Sequence, residues 1–193
     1  MGATKPYIEN EVKLPVLGTP DQARNLIEAI GYRIVHPRTL EADQVFDRDG
    51  ELRSSEQLLR LRRSGKESRV TYKAPPRRER HKSREEVEFD VSDPDAFVTV
   101  LERLGYKIAF RYEKYRTKFR RGEEQGEITI DETPIGVFLE LEGPPAWVDR
   151  TAQQLGRSPS EYLTSSYGKL YAEYRSKHPG APADMVFDAK QFK

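Results

Sequence analysis

The 193-residue chain has no cysteine. Disulfides, thiolate zinc sites and cysteine nucleophiles are thereby excluded. Histidine is scarce as well: His36, His81 and His178 are scattered and share no motif. Neither a histidine metal site nor a serine triad has its parts. No apolar run approaches the roughly 18 residues of a membrane helix, and the N-terminus carries no apolar signal region. An excess of one charge is also missing. Thirty-three bases face 32 acids, for a net charge of +1. A uniformly basic nucleic-acid binder is excluded, and any strong field has to come from local segregation of charge. Apolar residues are only 36% against 34% charged, yet 8 Phe, 10 Tyr and one Trp argue against disorder. The length allows one domain with a sizeable core. The expectation is a soluble cytoplasmic protein with a single domain over residues 1–177 and a frayed tail over 178–193.

What is present is alternation. Read as a strand, residues 8–14 put Glu9, Glu11 and Lys13 on one face and Ile8, Val12 and Leu14 on the other. One such strand taken alone is an edge strand or a solvated sheet face, because unpaired charges do not enter an ordinary core. A helix follows, with Thr19 at its N-cap, Pro20 at its first position, Gly31 past its end, and Leu26, Ile27 and Ile30 as its stripe. Strands are expected near 32–35 and 45–47. A hairpin is expected from Leu58–Arg63 to Val70–Lys73 around Ser64-Gly65-Lys66. Pro75 to Arg84 reads as a basic loop, and Arg84 to Val91 alternates again. A second capped helix runs from Pro94 to Gly105 and repeats the Pro-to-Gly spacing of the first, which suggests a two-fold internal repeat. Further strands are expected over 112–119, 128–131 and 137–142, then helices over 146–155 and 159–177.

At least seven strands thus have one apolar and one ionic face. The ionic set is Glu9, Glu11, Lys13, Arg60, Arg62, Lys73, Arg84, Glu86, Glu88, Lys114, Arg116, Lys118, Asp131, Glu140 and Glu142. An open sheet would leave this face wet. A closed antiparallel barrel would turn it inward and cover its apolar outside with helices. The amphipathic helices need such a surface. Like charges also sit in pairs at i and i+2, acids at 9 and 11, 86 and 88, 140 and 142, and bases at 60 and 62, 114 and 116, which favours closure. Paired carboxylates without His or Cys suit a hard divalent cation, Mg²⁺ or Mn²⁺. Clustered Arg and Lys suit phosphate. Together they describe a site for a metal-bound polyphosphate.

These residues resemble the CYTH superfamily, the triphosphate tunnel metalloenzymes. The matching motifs run in family order: Glu9-x-Glu11-x-Lys13, Arg60-x-Arg62, Thr71-x-Lys73, Arg84-x-Glu86-x-Glu88, Lys114-x-Arg116, Asp131, and Gly136-x-Phe138-x-Glu140-x-Glu142. The resemblance implies an α+β fold, an eight-stranded antiparallel β-barrel with an ionic interior and helices packed outside. It implies that Lys13, Arg60, Arg62, Lys73, Arg84, Lys114 and Arg116 grip phosphates. Glu9, Glu11, Asp131, Glu140 and Glu142 would hold Mg²⁺ or Mn²⁺, with Glu88 among them and Glu86 beside it. Ser166-Tyr167 resembles a motif of the family's C-terminal helix. Leu104-Gly105-Tyr106, Glu113-Lys114-x-Arg116 and Ser166-Tyr167 together resemble the class IV adenylyl cyclase-like branch.

The implied function is conversion of ATP to cyclic AMP and pyrophosphate. The alternative is hydrolysis of thiamine triphosphate or inorganic tripolyphosphate, and a third reading is a non-catalytic polyphosphate or nucleotide sensor. The partner is a small molecule bearing a triphosphate. No membrane is involved, and a homodimer is compatible. RNA binding through Arg77 to Arg84 lacks the interleaved aromatics that stack on bases.

Overall fold

The computed structural model describes residues 7–78 and 82–188; the side chains of Tyr7, Glu9, Arg78 and Lys82 are outside the described set. Glu79, Arg80 and His81 of the expected basic loop, and residues 189–193 of the tail, therefore lie outside the described residues. The elements run β1 (Tyr7–Pro15), α1 (Pro20–Ala29), β2 (Arg33–Asp47), α2 (Glu51–Ser54), β3 (Leu58–Ser64), β4 (Glu67–Lys73), β5 (Arg77–Arg78) and β6 (Lys82–Asp90). They continue with α3 (Pro94–Arg103), β7 (Lys107–Arg120), β8 (Glu127–Thr133), β9 (Gly136–Glu142), α4 (Pro145–Gln154), a 3₁₀ turn (Pro159–Glu161) and α5 (Tyr167–Lys177).

Every strand pairs antiparallel with its neighbours in the order β1-β9-β8-β7-β2-β3-β4-β6, and β6 returns to β1, with β5 a short addition on β6. The sheet is therefore closed into an eight-stranded barrel, and the open-sheet alternative falls. From Glu11 to Leu14 both faces of β1 are buried: Val12 and Leu14 outward, Glu11 and Lys13 inward.

The internal repeat is visible in the topology. Each half is a strand, a capped helix and three more strands. The first strands of the two halves pair with each other (β1 with β6), and so do the second strands (β2 with β7). Thr19 and Asp93 cap α1 and α3 by accepting from Gln22 N and Ala96 N. Gly31 and Gly105, just past the two helices, both take left-handed φ, +91° and +86°, a conformation that suits glycine.

The apolar core lies outside the barrel, between its outer face and the helices. Val12, Leu14, Ile128, Ile130, Leu139 and Leu141 pack against Ala23 and Ile27 of α1 and Trp147, Val148 and Ala152 of α4. Phe46, Leu61 and Val70 pack against Leu101 of α3. Leu26 of the expected stripe on α1 points outward instead, as does Leu104 just past α3.

Four expectations change. The basic loop expected from Pro75 to Arg84 holds the paired strand β5 and the start of β6, so only part of it is loop. The strands anticipated at 32–35 and 45–47 are one 15-residue strand, β2. Pro37 and three register shifts interrupt its ladder, and proline within a strand hides its continuity. The helix expected over 159–177 starts only at Tyr167. Before it, Leu163 exchanges backbone hydrogen bonds of 2.9 Å with Lys13, so that stretch is spent as an extra bridge to β1. The tail is fastened at one point: Met185 is fully buried and exchanges backbone hydrogen bonds with Arg111 and Glu113 of β7. Among the described residues no helix is long and apolar enough to cross a membrane.

Two predictions test the outer core. A Cβ on Gly126 would stand 2.2 Å from the Trp147 ring. Gly126→Ala should therefore destabilise the fold by about 1–3 kcal/mol through overpacking, lowering the thermal midpoint by several degrees. Glu124 accepts hydrogen bonds from Arg121, Trp147 Nε1 and Tyr32 Oη. These hold its carboxyl down from an ordinary 4.5 to about 2, the Arg121 bond contributing most. The folded value lies below the unfolded one, so this contribution is complete above pH 4.5 and is lost as pH falls towards 2. Melting curves over that range should show Glu124→Gln less acid-sensitive than the unmodified chain.

Candidate active site

The inward side chains enclose a cavity of about 580 Å³. Its described wall carries ten Lys and Arg against eight Glu, and only Val35 and Leu58 are aliphatic. A wall of this kind selects against apolar ligands and for a polyanion whose charge is partly neutralised. Lys13, Arg60, Arg62, Lys73, Arg84, Lys114 and Arg116 all line this one cavity, as do Glu11, Glu86, Glu88, Glu140 and Glu142. Asp131 is fully buried and is not among the lining residues. The side chain of Glu9 lies outside the described set; its backbone pairs with Arg84.

Acids and bases meet both along and across the strands. Lys13 lies 3.2 Å from Glu11 and 3.1 Å from Glu140. Arg116 donates twice to Asp131, at 2.6 and 2.5 Å, and once to Glu140. Lys114 reaches Asp131 at 2.8 Å. On the facing side, Arg62 forks onto Asp43 at 2.9 and 3.1 Å and meets Glu41 at 2.8 Å. Arg60 donates to Thr71 at 2.9 Å and to the Tyr112 hydroxyl at 3.2 Å. Lys73 pairs with Glu86 at 2.9 Å, and Thr71 donates to Glu88 at 2.7 Å.

Burial by itself would neutralise these groups; their neighbours reverse it. Desolvation pulls the Lys13 ammonium down, but Glu11 and Glu140 raise it well above the ordinary lysine value. Desolvation pushes Glu140 up, but Arg116 and Lys13 hold it well below the carboxylate range. Glu41 behaves likewise under Arg62, Arg116 and Lys114. Lys13, Glu140 and Glu41 therefore stay ionised.

Tyr167 enters this network from α5. Ser166 caps that helix, and both residues line the cavity. The Tyr167 hydroxyl donates to Asp131 at 2.8 Å. Its ring lies beside the ammonium groups of Lys13 and Lys114, at 5.2 and 5.1 Å. Burial, then Asp131 and Glu140, raise its hydroxyl well above the ordinary value, so it remains a donor.

Among the described residues, two buried guanidinium N–H groups still lack an acceptor. Arg60 Nε and Arg84 Nε make no hydrogen bond of normal geometry, although the former lies 3.4 Å from Asp43. A buried, unsatisfied guanidinium N–H is costly, and an anionic oxygen would satisfy it. For a metal ion, the relevant feature is the register: Glu11 stands directly opposite Glu142 across β1 and β9, and Glu127 follows opposite Glu142 on β8. Carboxylates facing each other repel, and a hard cation between them removes the repulsion, so the donor set fits Mg²⁺ or Mn²⁺ in kind. Among the described residues no three acids are already gathered at ligating distance.

Sequence reading misses Glu41, Asp43, Tyr112 and Glu127. The first two sit in the part of β2 that Pro37 conceals. Their spacing of two was a signal, but Leu40, Ala42 and Gln44 form no apolar face to frame it.

Comparison with known proteins agrees with this architecture. The CYTH domain profile matches residues 7–167. A protein of Methanocaldococcus jannaschii, provisionally named an adenylate cyclase, is 28% identical over 139 residues, covering 70% of this chain and 76% of its own. A Pyrococcus horikoshii protein has the same fold at a TM-score of 0.73 and 26% identity, over 86% of this chain and 99% of its own. A Hippeastrum protein, provisionally named an adenylyl cyclase and described by a dominant triphosphatase activity, overlaps at a TM-score of 0.63 and 20% identity, over 88% and 95%. By its profile match over most of its length, the chain belongs to the CYTH domain family.

Proposed function

We propose that this chain is a divalent-metal-dependent enzyme that breaks a phosphoanhydride bond of a triphosphate held inside the barrel. The observation that carries the reading is the pair of buried guanidinium donors, Arg60 Nε and Arg84 Nε, without acceptors in an enclosed wall where bases outnumber acids. Arg60, Arg62, Lys73, Arg84, Lys114 and Arg116 take the phosphoryl oxygens. Lys13 is held protonated by Glu11 and Glu140, so it acts as a fixed positive charge and not as a base. Tyr167 and Asp131 hold Lys114 and Arg116 in place, so the cradle needs little reorganisation as charge develops.

Glu11 and Glu142, with Glu140 and Glu9 beside them on β9 and β1, are the residues to hold Mg²⁺ or Mn²⁺. The ion supplies positive charge at the phosphoryl oxygens in the transition state. It also completes the charge balance. A free triphosphate brings about four negative charges, more than the small positive excess of the wall can match. The metal complex brings about half as many.

Of the two chemistries, hydrolysis is the better supported. A purine needs a flat or apolar slot. The wall offers Val35 and Leu58, and its two tyrosines are occupied with Arg60 and Asp131. Cyclisation of ATP is the second reading. Its support is the likeness to relatives provisionally named adenylate cyclases.

The deciding experiment incubates the protein with tripolyphosphate, thiamine triphosphate and ATP, each with Mg²⁺ and with Mn²⁺. Hydrolysis predicts orthophosphate from at least one of them, abolished by chelator. Cyclic AMP with pyrophosphate as the main products from ATP would reverse the order of the two readings. No product from any substrate would defeat both. Separately, Glu142→Gln and Arg84→Ala should each retain a cooperative melt. Glu142→Gln should lower metal-dependent turnover by about 10²-fold or more. Arg84→Ala should raise the KM for a triphosphate more than that for a monophosphate.

A further inference from the structure

Glu41 has no part in the chemistry above, yet the basic wall converges on it. One oxygen, Oε2, lies 2.8 Å from Arg62 Nη1, 3.5 Å from Lys114 Nζ and 3.8 Å from Arg116 Nε. These bases come from β3 and β7, the strands that flank β2 on either side. The same oxygen is buried and makes no hydrogen bond of normal geometry.

The other acids around these bases behave differently. Asp43 receives two directed bonds from Arg62. Asp131 receives two from Arg116 and one from Lys114. Each of the three bases is therefore anchored by another acid. Glu41 adds no directed bond; its oxygen sits where the fields of three anchored cations overlap. Three bases around one buried anionic oxygen is the environment of a phosphoryl oxygen.

We propose that Glu41 is a resident counter-anion, whose carboxylate oxygen occupies a phosphoryl-oxygen position of the cradle and thereby selects a cation-paired triphosphate over the bare polyanion. The proposal rests on the triphosphate reading above. Its physical basis is simple: repulsion between Glu41 and the ligand grows with ligand charge, so the bare anion is penalised more than its magnesium complex. Glu41 also limits the cost of three bases left facing one another when no ligand is present.

The test is calorimetric binding of inorganic tripolyphosphate to the unmodified protein, Glu41→Gln, Glu41→Ala and Glu41→Asp, with chelator and with excess Mg²⁺. Both neutral variants should bind the bare anion about tenfold tighter or more, with a clearly smaller gain for the magnesium complex. Glu41→Asp keeps the charge and should stay within about threefold of the unmodified protein. Equal or weaker binding of the bare anion by the neutral variants overturns the counter-anion role, as does an equal gain for both ligand forms. If neither neutral variant folds, Glu41 is a structural ion-pair partner and the proposal is likewise overturned. If the unmodified protein binds tripolyphosphate under neither condition, the triphosphate reading fails and takes this proposal with it.

Discussion

The constraint on which this structure depends is the burial of charge inside a closed sheet. Glu11, Lys13, Lys114, Asp131 and Glu140 are all nearly inaccessible, and a buried charge is costly unless it is paired. Closure supplies the pairing, because it sets acids beside bases around the barrel. The Asp131–Arg116–Glu140–Lys13–Glu11 chain crosses β8, β7, β9 and β1 through successive ion pairs. Remove one member and its partners remain buried with unmatched charge, which costs far more than the pair contributes. Such an interior cannot supply the driving force for folding. That comes from the outer face, where Val12, Leu14, Leu139 and Leu141 meet the helices.

The division of labour follows. Outer residues stabilise, inner residues are held ready, and the period of two along each strand keeps the two sets apart. The two-fold repeat extends the arrangement. Each half places ionic positions on three or more strands, and the pairings β1–β6 and β2–β7 sew the halves into one cavity. α5 and the segment around Met185 break the symmetry. Through Tyr167 they reach the network at Asp131, and through Met185 they fasten to β7.

Much of this was legible in the sequence because alternation is a local property. Glu9-x-Glu11-x-Lys13, Arg60-x-Arg62 and Glu140-x-Glu142 declare two-faced strands with no knowledge of their neighbours. Thr19, Asp93, Gly31 and Gly105 mark helix ends for equally local reasons. The failures also have local causes. Pro37 concealed the middle of β2 and, with it, Glu41 and Asp43. The stretch around Leu163 looked helical but is recruited to β1 by backbone hydrogen bonds that no pattern within 159–177 signals. Met185 looked like part of a loose tail because its burial depends on a surface of β7 more than 70 positions away in sequence.

Spacing along the chain is enough to give the strands an ionic and an apolar face, to require capped helices over the latter, and to place the motifs in CYTH order. Which charges meet depends on the folded barrel. Lys13 lies between Glu11 and Glu140, Asp131 lies under Lys114, Arg116 and Tyr167, and three bases from two strands converge on one oxygen of Glu41. The reason is that side-chain direction along a strand follows from spacing alone, whereas cross-strand partners follow from register and closure, and these are set by the whole barrel at once.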